Sequence, residues 1–205
     1  ICKMNFQAIA IVILFLIVGA VGLTMSARFV ALDLSHRGNH KFEVGTDDAS
    51  IKIVFFFDYK NPASRRIYNK LLQLRGRDQD VQIVLRDLPD SSTSEVLSRV
   101  AIAAGEADNL YKGFFNHFMR MNADELDQPV SAIMARLKVD QDAIEQNMHT
   151  PKTDRLLKYN RVLAKILGYE QAPILIIDNE VIAHDGYDTN ELLRIIDTKR
   201  AEKAK

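Results

Sequence analysis

The chain has 205 residues, 47% apolar and 26% charged, which is enough for one domain of ordinary globular composition plus an appendage. Lysine plus arginine and aspartate plus glutamate number 27 each, so no basic field exists to collect phosphates, and nucleic acid is not an expected partner. The single cysteine, Cys2, excludes a disulfide within the folded part, and the five histidines show no metal-ligand spacing, so neither metal nor cofactor is expected.

From Phe6 to Ala27 no residue is charged. At about 1.5 Å per residue such a helix can cross a hydrocarbon core of roughly 30 Å. The alternative is a cleaved signal peptide ending at small residues such as Ala20-Val21-Gly22, but its apolar region would be shorter, about 7 to 15 residues. The length favours an uncleaved anchor at 6–27, behind a short cytoplasmic N-terminus at 1–5. Lys3 on one side and Arg28 on the other specify orientation only weakly; the N-terminus is placed in the cytoplasm so that the following domain is exported. Residues 28–40 read as a polar linker without periodicity.

The domain is expected at 41–205. Ile51–Phe57 is apolar at nearly every position and rich in β-branched and aromatic residues, the pattern of a strand buried on both faces. Pro62–Arg75 reads as a helix with Gly76 placed to end it, and Val81–Leu85 as a second strand, giving a strand-helix-strand unit with right-handed parallel crossover. From about 91 to 168 every periodic stretch is helical, five short helices in all, the last closed by Gly168. Strand character returns at Ile174–Asp178, followed by an Asn179-Glu180 turn and Val181–His184. Asp188 and Glu191 form a capping box for a final helix. The order is that of an α/β domain, and it resembles the thioredoxin arrangement with a helical insertion.

Four segments in sequence resemble the DsbA-like branch of the thioredoxin superfamily: GTDDASIKIVFFFDYKNPASRR, VQIVLRDLP, AIAAGEADNLYKGFFNHFM and QAPILIIDNEVIAHDGY. Together they span about Phe42 to Ile196. The first is similar to that family's strand and its Phe-Asp-Tyr-x-Cys-Pro-x-Cys motif. Asn61 stands where the family has its attacking cysteine and Ser64 where it has the resolving one, while Phe55 replaces the buried carboxylate that relatives often carry. Disulfide exchange needs a thiolate and a second sulfur, and neither amide nor hydroxyl supplies them. No catalytic residue is therefore assigned.

Asn61-Pro62-Ala63-Ser64 is nevertheless a good helix start, because Asn caps well and Pro suits the first helical position. The functional alternative is that Asn61 or Ser64 meets a ligand at the dipole end. The resemblance implies that Pro173 is cis, faces this loop and leaves the backbone of Ala172 free to pair with an extended peptide. Tyr59, Phe114, Phe115 and Phe118 are candidates to line a groove for apolar side chains, although helical spacing of the three phenylalanines equally suits a core. His184 with Asp185 falls short of a catalytic set.

The resemblance implies a redox-inactive, single-pass protein of a bacterial inner membrane, with its main domain in the periplasm. There it would bind unfolded polypeptide, act as a chaperone, or scaffold an envelope complex. A second reading is an enzyme resembling the glutathione-transferase kappa group, whose helix starts Ser-Pro-x-Ser. A third is a helper of a thiol-disulfide oxidoreductase.

Overall fold

The computed structural model describes residues 6–137, 139–182 and 186–204, with side chains from residue 17 onward. The elements in chain order are α1 (Phe6–His36), a 3-10 turn (His40–Phe42), β1 (Glu43–Val44), β2 (Ile51–Phe57), α2 (Pro62–Arg77), β3 (Val81–Asp87), α3 (Ser92–Asp108), α4 (Tyr111–Arg120), α5 (Ala123–Leu126), α6 (Val130–Leu137), α7 (Gln141–Met148), α8 (Pro151–Leu167), β4 (Ile174–Ile177), β5 (Glu180–Ile182) and α9 (Thr189–Lys203). The sheet order is β1-β3-β2-β4-β5. β2 and β3 run parallel in the register Ile51↔Val81 through Phe57↔Asp87, and β4 lies antiparallel on the other side of β2.

The continuous apolar run of β2 follows from its place at the sheet centre, where alternate side chains enter different cores. Ile51, Ile53, Phe55 and Phe57 pack with Leu71 of α2, Leu97 of α3, Phe115 of α4 and Ile196 of α9. Val54 and Phe56 face the opposite way, onto Ala31 of α1 and Leu163, Ala164 and Leu167 of α8. The second face is thus covered in part by the end of the N-terminal helix. Residues 28–36, expected within a linker, are instead helical, with Ala31 and Ser35 buried. Ala31 and Ser35, one turn apart, with the half-buried Leu32 and Leu34 beside them, dock this end of the helix.

Arg86 of β3 fixes that docking. Its guanidinium is buried and donates to the carbonyls of Ser35 (3.0 Å) and Arg37 (2.7 Å), supplying donors to the last turn of α1. The outer part of α1 remains apolar and exposed, as at Leu23 and Phe29. By length and composition it is the one described helix able to cross a membrane.

Other boundaries also differ from expectation. Gly76 lies inside α2, whose capping residue is Asp78. The insertion holds six helices, because Asn122 and Glu125 cap an extra turn, α5. The hairpin turns at Asp178-Asn179, where Asp178 adopts φ 50°. Gly168 closes α8 in the left-handed region at φ 95°, and the Asp188–Glu191 capping box is formed. His184 and Asp185 lie outside the described residues.

Candidate functional site

The chain leaves β2 at Phe57, turns through Asp58, Tyr59 and Lys60, and enters α2 at Asn61. Asn61 Oδ1 accepts from the N–H groups of Ala63 (2.8 Å) and Ser64 (3.2 Å). Pro62 contributes no N–H, and the Arg65 N–H donates to the Asn61 carbonyl at 3.2 Å. The donors of the first turn are therefore all satisfied from within the chain, which leaves none for a ligand at the dipole end.

The other end of the same amide crosses the site. Asn61 Nδ2 donates to the carbonyl of Ala172 at 2.9 Å, and the Ala172-Pro173 bond is cis. The helix start and the proline strand do face each other, as the resemblance implied. The backbone of Ala172, expected to be free for an extended peptide, already accepts one bond from Asn61 at its carbonyl. A polar side chain of this length, placed by the cap geometry, spans a gap that a shorter side chain would leave open.

Ser64 is fully buried, and its Oγ accepts from the Asp58 N–H at 3.2 Å. Its hydroxyl faces the preceding turn rather than solvent, which corrects the expectation that it could meet a ligand. The buried Asp58 carboxylate accepts from Lys60 N (2.7 Å), Ser94 Oγ (2.5 Å) and Asp90 N (3.0 Å), tying the turn to the start of α3. That hydrogen-bonded carboxylate pushes Asp90 up to about 6. On the solvent side Pro62 is exposed and Pro173 half-buried.

The four aromatic residues proposed for a groove form no surface. Tyr59, Phe114, Phe115 and Phe118 are all buried, and Tyr59 packs edge-to-face on Phe57 and Phe118. α4 turns its apolar stripe inward onto β2 and α2, so the helical spacing serves the core.

Sequence reasoning missed two features. Asp87, at the end of β3, is buried beside Tyr59 and Tyr111, with the Tyr111 hydroxyl donating at 2.5 Å. Burial pushes its carboxyl up to about 7, against the opposing effect of that hydrogen bond. In addition, His40, Glu43 and Asp47 approach one another, with His40 Nδ1 3.2 Å from Asp47 and the Gln82 amide bonded to both carboxylates.

A family model described as thioredoxin matches residues 38–198. The chain belongs to the thioredoxin family. Solved structures place this thioredoxin-family protein among DsbA-like folds. A thioredoxin-like oxidoreductase from Silicibacter pomeroyi superimposes with a TM-score of 0.70 at 25% identity, over 80% of this chain and 92% of that one. The thiol-disulfide exchange protein alpha-DsbA2 from Wolbachia pipientis gives 0.71 at 20% identity, covering 86% and 96%. The catalytic domain of Proteus mirabilis ScsC gives 0.66 at 18% identity, covering 85% and 97%. None of the curated proteins compared with this chain matches it.

Proposed function

We propose that this thioredoxin-family protein is a redox-inactive scaffold, anchored by residues 6–27 and presenting its DsbA-like domain on the periplasmic side of a bacterial inner membrane, where it holds a partner in an envelope complex. The observation that carries this reading is Asn61. One end of its side chain caps α2 and the other bonds Ala172, so the position where relatives have an attacking thiol serves the fold. A side chain so engaged supports a structural role for the whole motif.

The same bond bears on peptide binding. Strand addition uses free backbone groups, and the Ala172 carbonyl already accepts one bond, from Asn61. A chaperone-like groove at this step is therefore weaker than the scaffold reading. The kappa-transferase reading needs the Asn61 amide to donate to a thiolate, whereas Asn61 Nδ2 is turned to the Ala172 carbonyl. Periplasmic placement draws on the exposed apolar surface of α1 and on a structural relative described as a periplasmic thioredoxin-like protein from Salmonella.

Insulin reduction tests the redox reading, and cross-linking with co-purification from intact membranes tests the scaffold reading. The expected outcome is turbidity no faster than buffer, together with a reproducible envelope partner. Measurable reduction by the segment 28–205 would overturn the redox-inactive reading. Retention on glutathione resin would favour the transferase instead, and release of the domain as a soluble periplasmic product would remove the anchor.

A further inference from the structure

An open groove of about 700 Å³ lies between the end of α1, α3 and α8. That volume is within the range of sites that hold small organic molecules. Phe42 and Ile102 form a buried apolar floor, and Leu156 and Val162 of α8 form a wall, with Val162 47% exposed. Burying such a wall in water-free contact is favourable.

The charges in the groove have one sign in excess. Arg86 lines it, and this arginine is 5% exposed with no carboxylate within ion-pair distance among the described residues. Its Nε and Nη2 donate to the carbonyls at the end of α1, and Nη1 reaches only Asn160 Oδ1, at 3.4 Å. A guanidinium has five N–H donors, so one Nη1 hydrogen has no acceptor among the described residues. Besides the helix-end carbonyls and the Asn160 amide, this cation meets the face of the Tyr159 ring, 5.6 Å from its centroid, so its charge is only partly compensated. At the rim, Arg155 and Lys158 are exposed and form no ion pair among the described residues. Glu106 also lines the groove, but it is matched by Lys152 and Lys41.

We infer that this groove binds a single-chain lipid anion, its head group answering Arg86, Arg155 and Lys158 and its alkyl chain lying over Phe42, Ile102 and Leu156. An apolar floor alone would take any hydrophobe, and the cations alone any anion; together they select a molecule with both parts. The groove begins at Arg37 and Gly38, directly after α1. With α1 read as the anchor, that position lies within reach of the bilayer surface and of lipids leaving it.

The test uses the full chain in phosphatidylcholine nanodiscs with a diazirine-bearing palmitate, and cross-linked peptides are mapped by mass spectrometry. Label is expected on the peptide containing Leu156 and Val162, displaced by palmitate and spared by hexadecanol or by millimolar inorganic phosphate. Arg155→Glu with Lys158→Glu should lower groove labelling roughly tenfold, equivalent to about 1.4 kcal/mol, while labelling of α1 stays constant as an internal standard. Both residues are exposed, so the variant folds, and circular dichroism verifies it. Label confined to α1, displacement by hexadecanol as effective as by palmitate, or undiminished labelling of the double variant would each overturn the inference. Displacement by phosphate alone would assign the site to a free anion, and a chain-to-chain cross-link through the groove would assign it to a second copy.

Discussion

Replacing Asn61 separates the two bonds of its side chain. Asn61→Ala removes the cap of α2, a loss of about 1 kcal/mol, and the bond to the Ala172 carbonyl, about another 1 kcal/mol. Ala172 is buried, so its carbonyl would be left without that partner rather than rehydrated freely. The sum, about 2 kcal/mol, corresponds to a fall in Tm of roughly 4–8 °C for a domain of this size. Asn61→Asp keeps an acceptor for the Ala63 and Ser64 N–H groups and adds a favourable charge at the helix N-terminus, about 0.5 kcal/mol. It cannot donate to Ala172 and sets two acceptors against each other, so it should lie between wild type and Asn61→Ala. Scanning calorimetry of the segment 28–205 gives the order, and the amide shifts of Ile174 and Ala63 report the two bonds separately. An Asn61→Ala variant within 1 °C of wild type, or an aspartate variant that melts below alanine, would refute the assignment of a bridge.

Asp87 should make stability depend on pH. Its folded pKa, about 7, lies above the ordinary aspartate value, so the folded state binds more protons between about pH 4 and 7 and stability falls as pH rises through that window. Asp87→Asn should flatten the Tm–pH profile between pH 5 and 8, and a profile as steep as wild type would exclude Asp87 as its source. Arg86→Met should release the end of α1, raising hydrogen exchange at residues 31–36 and lowering stability by about 2–4 kcal/mol as buried carbonyls lose their donors; unchanged exchange there would contradict the clamp. Gly105→Ala should cost about 1–3 kcal/mol by overpacking, because a Cβ on Gly105 would lie 2.8 Å from Tyr111 Cβ at the α3–α4 contact; a neutral urea midpoint would show that the helices separate without strain. Cysteines at Asn61 and Ser64 together should close to a disulfide, since the helix start supplies i, i+3 spacing, and free-thiol titration after oxidation checks it.

The sequence by itself determined what depends on neighbouring residues along the chain. The β2 run, the Asn61-Pro62 helix start, the Gly168 cap and the Asp188–Glu191 box each follow from local sterics and hydrogen bonding, and each is where the pattern placed it. That residues 61 and 64 are Asn and Ser and carry no sulfur is likewise legible, because it is a matter of residue type. Tertiary structure alone decided which partners distant groups meet. It turned Phe114, Phe115 and Phe118 into core, since a helix's apolar stripe does not say whether the neighbouring surface covers it. It closed Asn61 onto Ala172, 111 residues away, using a donor whose direction no spacing encodes. It also docked residues 28–36 against β3 and α8, because two small buried residues, the half-buried leucines beside them and one distant arginine hold a helix end whose remaining side chains read as a linker.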